Sequence, residues 1–112
     1  MKPKLIKLIK ERDVWCWHCG AEDGLQIHHR RNKGMGGSIK LDRADNLIRV
    51  CAWLNYQMEQ SAPVANEARE KGWKLGSWDG FDTPVFDNSL GAWFILTSDG
   101  RKVPSGPPSF LI

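Results

Sequence analysis

Two adjacent histidines, His28 and His29, lie in the run LQIHHR at 25–30. The run sets Leu25, Ile27 and His29 against Gln26, His28 and Arg30, the alternation of a strand. Adjacent strand side chains point to opposite faces, so one imidazole can hold a metal ion while the other reaches a separate water. A second strand is predicted at 46–51 (NLIRVC), followed by good helix formers at 52–60 (AWLNYQMEQ). A strand–loop–strand hairpin carries that helix back across the first strand. A ligand in the helix's first turn can then meet the strand histidine at one ion, and Asn55, 27 residues after His28, occupies that place. Two of the three cysteines form Cys16-x-x-Cys19, and Cys51 ends the second strand. An odd count with a C-x-x-C pair favours metal-binding or structural thiols over a disulfide framework in a reducing compartment.

The elements that must position these residues are partly legible. Residues 31–45 carry GMGGS together with Arg31, Lys33, Lys40 and Arg43, which predicts a long basic loop. Gly34, Gly36 and Gly37 would let its backbone approach a ligand closely. DVWCWHCG (13–20) reads as a cysteine knuckle closed by Gly20. Residues 3–12 place Leu5, Leu8 and Ile9 on a helical stripe, with Arg12 where the next apolar residue belongs. Ser61 as a cap, Pro63 in a first turn and Gly72 as a stop predict a further helix over about 62–71. Beyond it, PVF (84–86) and AWFIL (92–96) flank five turn-forming residues and predict a β-hairpin, and 104–109 (PSGPPS) predict a loosely held tail. The expectation is one α+β domain, with a core over 14–72 and a β-rich extension and Pro-rich tail over 73–112.

Composition bounds the function. The chain has 112 residues, 41% apolar and 26% charged, as a globular domain does. No apolar run is long enough to span a bilayer. The basic, amphipathic N-terminus lacks the apolar stretch and cleavage site of a signal peptide, so a cytoplasmic location and no membrane partner are expected. Residues 1–51 carry 11 Lys/Arg against 6 Asp/Glu, and residues 52–112 carry 5 against 7. The half that holds the His, Asn and Cys motifs is therefore the positive one, as fits a bound polyanion. The six Trp are read as core filling.

Cys16-x-x-Cys19, His28-His29, Asn46, Cys51 and Asn55 occur in that order, and IHHRRNKGMGGS followed by ADNLIRVC and a helix resembles the HNH endonuclease superfamily. The likeness is to small HNH nucleases of actinobacterial phages, specific over 14–78 and weaker beyond. It implies a ββα-metal (His-Me finger) core with a C-terminal β-hairpin extension. By that resemblance His28 is a metal ligand, His29 the general base, Asn46 the residue that fixes the hairpin, and Asn55 the second ligand. The pattern is then His-Asn-Asn, and an oxygen ligand leans the site towards Mg²⁺ or Mn²⁺, with Ni²⁺ or Zn²⁺ as alternatives. The implied reaction is metal-dependent hydrolysis of DNA phosphodiesters to 5′-phosphate and 3′-hydroxyl ends. Arg30, Arg31, Lys33, Lys40 and Arg43 are the candidates to grip phosphates.

The chain departs from the family where a second C-x-x-C would stand, because Leu54 replaces the fourth cysteine. Either Cys16, Cys19 and Cys51 hold a structural zinc with some further ligand, or there is none and Trp15, Trp17 and Trp53 plug its place. Phage packaging or recombination proteins are partners implied by the resemblance alone, and nothing in the sequence marks a dimer face. The rival reading is an HNH-fold nucleic-acid-binding module that has weakened or lost cleavage. A third builds a protein-interaction surface on Trp73, Trp78 and Trp93.

Overall fold

The computed structural model describes residues 1–32 and 39–109. Lys33, Gly34, Gly36 and Gly37, named above, lie outside them. In chain order the described residues form helix α1 (Pro3–Arg12), strand β1 (Leu25–His29), two 3₁₀ turns (Ile39–Leu41 and Ala44–Asn46) and strand β2 (Leu47–Cys51). Helices α2 (Ala52–Gln60) and α3 (Ala62–Glu70) follow, then strands β3 (Val85–Asp87), β4 (Ala92–Leu96) and β5 (Lys102–Ser105). The result is a compact α+β fold with two small antiparallel sheets.

β1 and β2 pair with His28 opposite Ile48 and His29 opposite Leu47. Helix α1 covers this hairpin. Its Ile9 is buried with Ala44 and Leu47, and Leu5 and Ile27 pack against them. Arg12, the polar residue on the apolar stripe, does not break the helix but closes it. Its guanidinium pairs with Asp13 at 2.8 Å, both side chains nearly inaccessible, and donates to the Ala44 and Leu47 carbonyls. Asp13 in turn accepts from the Arg49 backbone N–H at 3.1 Å, so the pair ties α1 to β2.

β2 runs directly into α2, whose first turn is capped by the Cys51 sulfur accepting from Leu54 N–H at 3.4 Å. Ser61 caps α3 with its hydroxyl, and Pro63 sits in the first turn, where the missing N–H costs nothing. Gly72 ends α3 at φ +77°, a conformation open to glycine, and a Cβ there would run into the Pro84 carbonyl. The chain then turns inward, burying Trp73 completely and tying its indole N–H to Phe86 O at 2.9 Å.

The predicted hairpin exists as β3–β4 and gains a third strand, so the second sheet is β3-β4-β5. Pro104 and Ser105 belong to β5 and Pro108 is buried, so the Pro-rich segment is docked where a loose tail was expected. One cluster of buried side chains joins the two parts of the chain: Trp17, Ile48, Val50, Leu54, Met58 and Trp73 meet Val85 and Leu96. Of the six Trp, Trp17 and Trp73 fill the core, but Trp53 and Trp78 are exposed, Trp78 almost fully at 98%. Burial of Trp73 removes it from any interaction surface.

Candidate functional site

His28 and His29 end β1, and both border one groove of about 340 Å³ with Ile27, Asn32, Asn55 and Glu59. His28 faces inward. Its Nε2 lies 2.9 Å from the Trp73 carbonyl, which can only accept, so Nε2 carries the proton and Nδ1 is the unprotonated nitrogen. Burial pushes the His28 pKa from 6.5 down to about 4, so the ring is neutral near pH 7. Neutral imidazole with its second nitrogen pinned to a carbonyl is the form that binds a metal ion.

The cap at Cys51 sets the phase of α2 so that Asn55, one turn in, meets His28. The Asn55 amide donates to Gln26 Oε1 at 2.7 Å, and the same side chain is hydrogen-bonded to the His28 ring. Its side chain and the Glu59 carboxylate both act on the His28 ring, favouring the charged form against the larger effect of burial. Glu59 follows Asn55 by four residues and so shares its helix face. Its carboxylate is 3.2 Å from Lys74 Nζ. One imidazole, one side-chain amide and one carboxylate thus border a single opening. This donor set fits a hard divalent cation that also keeps water ligands.

His29 faces the other way along the groove, with Nε2 2.7 Å from Asp42 Oδ1. A carboxylate accepts, so Nε2 holds the proton and Nδ1 is the basic nitrogen. Asp42 is placed by the turn that Asn46 organises. Asn46 is fully buried, accepts from Arg31 N–H at 2.7 Å, and donates to Arg31 O at 3.2 Å and Leu41 O at 3.0 Å. It clips the end of β1 to the loop that delivers Asp42.

The basic residues divide. Arg30 was expected to grip phosphate, but its side chain is inaccessible to solvent. It donates to Gly72 O at 2.7 Å, Asp45 O at 3.0 Å, Phe81 O at 3.2 Å and Thr83 O at 2.6 Å. Desolvation lowers its pKa to about 9. Arg30 therefore fastens three chain segments and cannot reach a ligand. Arg31 and Arg43 flank the Phe81 ring at 4.6 and 4.3 Å. Arg31 also donates to Asp79 O, and Arg43 to both oxygens of Asp45. Arg43 stays exposed, as does Lys40. Lys2, at the start of α1, borders a depression together with Asp42, so the basic helix lies beside the His29 pair.

At the other end of the hairpin the sulfurs of Cys16, Cys19 and Cys51 all lie within 4.8 Å of one another. Tetrahedral zinc with Zn–S of ~2.3 Å spaces its sulfurs at ~3.8 Å, so small side-chain shifts would close the cluster on an ion. The Cys16 sulfur accepts from His18 N–H at 3.3 Å and Cys51 N–H at 3.1 Å. Burial pushes the Cys16 thiol up to about 11, and a backbone hydrogen bond to Ala21 lowers that of the exposed Cys19. Leu54 buries its side chain in the core and contributes no ligand. The three cysteines can hold a metal ion. Of the Trp side chains considered above as a plug, Trp17 packs in the core with Cys16 and Cys51, whereas Trp15 donates to Asp87 at 3.0 Å and the exposed Trp53 stacks on His18 at 5.6 Å.

Sequence reasoning missed Asp42, Glu59 and the Trp73 carbonyl. Glu59 had a signal in its spacing of four from Asn55. Asp42 had a weaker one, an acid set between Lys40 and Arg43 in a basic loop. The carbonyl contact had none. Comparison of the chain with protein-family models, with curated proteins and with solved structures finds no match.

Proposed function

We propose that this chain is a metal-dependent endonuclease of the HNH type, with a ββα-metal core made of β1, β2 and α2, that hydrolyses phosphodiester bonds in DNA. The observation that carries the reading is the His29–Asp42 pair on the same groove as His28, Asn55 and Glu59. A base with a fixed tautomer next to a neutral nitrogen and two oxygen donors is what hydrolysis of a phosphodiester needs, and a purely structural hairpin needs neither.

His28 through Nδ1 and Asn55 through its side-chain oxygen would hold the ion, with Glu59 as a third donor once it leaves Lys74. The oxygen-rich set favours Mg²⁺ or Mn²⁺ over tight zinc binding. A bound divalent ion polarises a phosphoryl oxygen and offsets charge growing on the leaving 3′ oxygen. His29 Nδ1 takes the proton of a water whose oxygen attacks phosphorus, and the P–O3′ bond breaks. Asp42 keeps the Nε2 proton in place and stabilises the imidazolium that forms. Asn46 positions both by fixing the loop. Lys40, Arg43 and the lysines of α1 supply sequence-indifferent attraction to phosphate. The three-cysteine cluster holds a structural zinc that fixes the start of β1 to the start of α2.

The replacement of the fourth cysteine by Leu54 favours the rival reading, a binding module that no longer cuts. Incubation of supercoiled plasmid with Mg²⁺, Mn²⁺, Ni²⁺ or EDTA, beside His29→Ala, decides between them. Nicked or linear product that requires metal and falls by about 10²–10⁴-fold in His29→Ala is the expected result. No cutting in any metal, with salt-sensitive DNA binding retained, would establish the binding module instead.

A further inference from the structure

The groove at His28 and His29 does not end at Asn55. It continues across Asn55 and Glu59 into a second opening of about 520 Å³ lined by Gln26, Ala52, Tyr56 and Gln60 as well. The two halves differ in chemistry. The first carries imidazoles and a carboxylate. The second is lined by Ala52, by the side-chain amides of Gln26, Asn55 and Gln60, and by Tyr56. Tyr56 is 63% exposed and is the one aromatic on this wall among the described residues. Glu59, among the described residues the only charged side chain bordering the second opening, faces Lys74 at 3.2 Å.

An exposed aromatic ring beside neutral amide donors and acceptors matches the two surfaces of a nucleobase, a π face and a hydrogen-bonding edge. It does not match the outside of a duplex, which presents phosphates and keeps its base faces stacked. From these features we infer that the Gln26–Tyr56–Gln60 opening binds one unpaired base of the substrate strand, stacked on Tyr56, next to the scissile phosphate at His28 and Asn55. The preferred substrate is then a single strand or the single-stranded arm of a branched or gapped DNA. This inference rests on the nuclease reading only for the position of the phosphate. Base stacking itself needs no metal.

Tyr56 is exposed, so its replacement leaves the core intact. The test uses a single-stranded oligonucleotide carrying 2-aminopurine, whose fluorescence is quenched on stacking, titrated with the full chain in EDTA. Tyr56→Ala is expected to lose quenching and to bind about 5- to 150-fold more weakly, the range for loss of one base–aromatic stack. Tyr56→Phe, which keeps the ring, should behave as the parent. Cleavage of single-stranded, gapped and fully paired DNA in Mn²⁺ is followed in parallel. Unchanged quenching and affinity in Tyr56→Ala overturn the inference even if every substrate is cut. Tyr56-dependent quenching with no cutting upholds the base site and removes the nuclease reading. Absence of any binding by the parent chain overturns both.

Discussion

The two ends of the β1–β2 hairpin gather metal-binding atoms of opposite character. At the Leu25–Cys51 end are three sulfurs, one of them buried and accepting two backbone N–H groups. At the His29–Leu47 end are an imidazole nitrogen, an amide oxygen and a carboxylate around an open groove, with a second imidazole paired to an acid. Soft sulfur selects zinc and similar ions, and mixed nitrogen and oxygen with room for water suits Mg²⁺ or Mn²⁺. The sulfur end is anchored in the main core cluster, whereas the groove end faces solvent. One hairpin can therefore carry a permanent ion that holds it together and an exchangeable ion that does chemistry.

Three changes would break or sharpen this contrast. The largest effect is expected from Cys16→Ser. Bound zinc, counted by elemental analysis, should fall from about one per chain to near none. Because binding of a structural ion is folding free energy, stability should drop by on the order of 5 kcal/mol, read as a lower thermal midpoint. Retention of full stability would show that the sulfur end is not structural.

The next effect belongs to His28 in metal-free protein. Its folded pKa of about 4 lies below the ordinary 6.5, so between those values the unfolded chain binds a proton that the native chain refuses. The stabilisation is complete above pH 6.5 and is lost as pH falls towards 4, amounting to roughly 3 kcal/mol. Denaturant melts at steps of pH should show this slope in the parent and a flatter one in His28→Asn. An equal slope in both would place the acid sensitivity elsewhere.

The smallest of the three is Asp42→Asn. It keeps the shape of the loop but lets the partner of His29 donate as well as accept, so the imidazole loses its fixed tautomer. A fall of about 10- to 100-fold in the cleavage rate, with a stability change below about 1 kcal/mol, is expected. Unchanged cleavage would remove Asp42 from the mechanism.

The legible parts of the molecule are those governed by local rules. Helix α3 carries its own cap, proline and terminal glycine, and residues 62–71 were readable from Ser61, Pro63 and Gly72. The His28–Asn55 meeting was readable because strand period, hairpin return and helix phase leave few other outcomes. Arg30 was misread because a basic residue next to a basic loop was counted with the loop, although it shares the buried side of the chain with His28. Past His29 the chain leaves the sheet, and four carbonyls from distant segments close around the guanidinium. Arg12 illustrates the same point in a helix, where a charge on an apolar stripe found an acid and two carbonyls. Contacts of this kind depend on backbone atoms far along the chain, all but the Asp45 carbonyl more than thirty residues away, which no local pattern encodes. The third strand, β5, was hidden by Pro104, which fits an edge position where its missing N–H is not needed.

The chain has three histidines, one beside the sulfurs and two at the groove, and they report the contrast directly. The decisive measurement is a ¹⁵N NMR spectrum of the histidine rings in zinc-loaded protein during titration with substoichiometric Mn²⁺, a paramagnetic ion that broadens nearby signals. The account predicts that His28 and His29 broaden first, with His28 retaining the tautomer protonated at Nε2, while His18 stays sharp. Broadening of His18 ahead of the other two, or no selective broadening of His28 and His29, would contradict it.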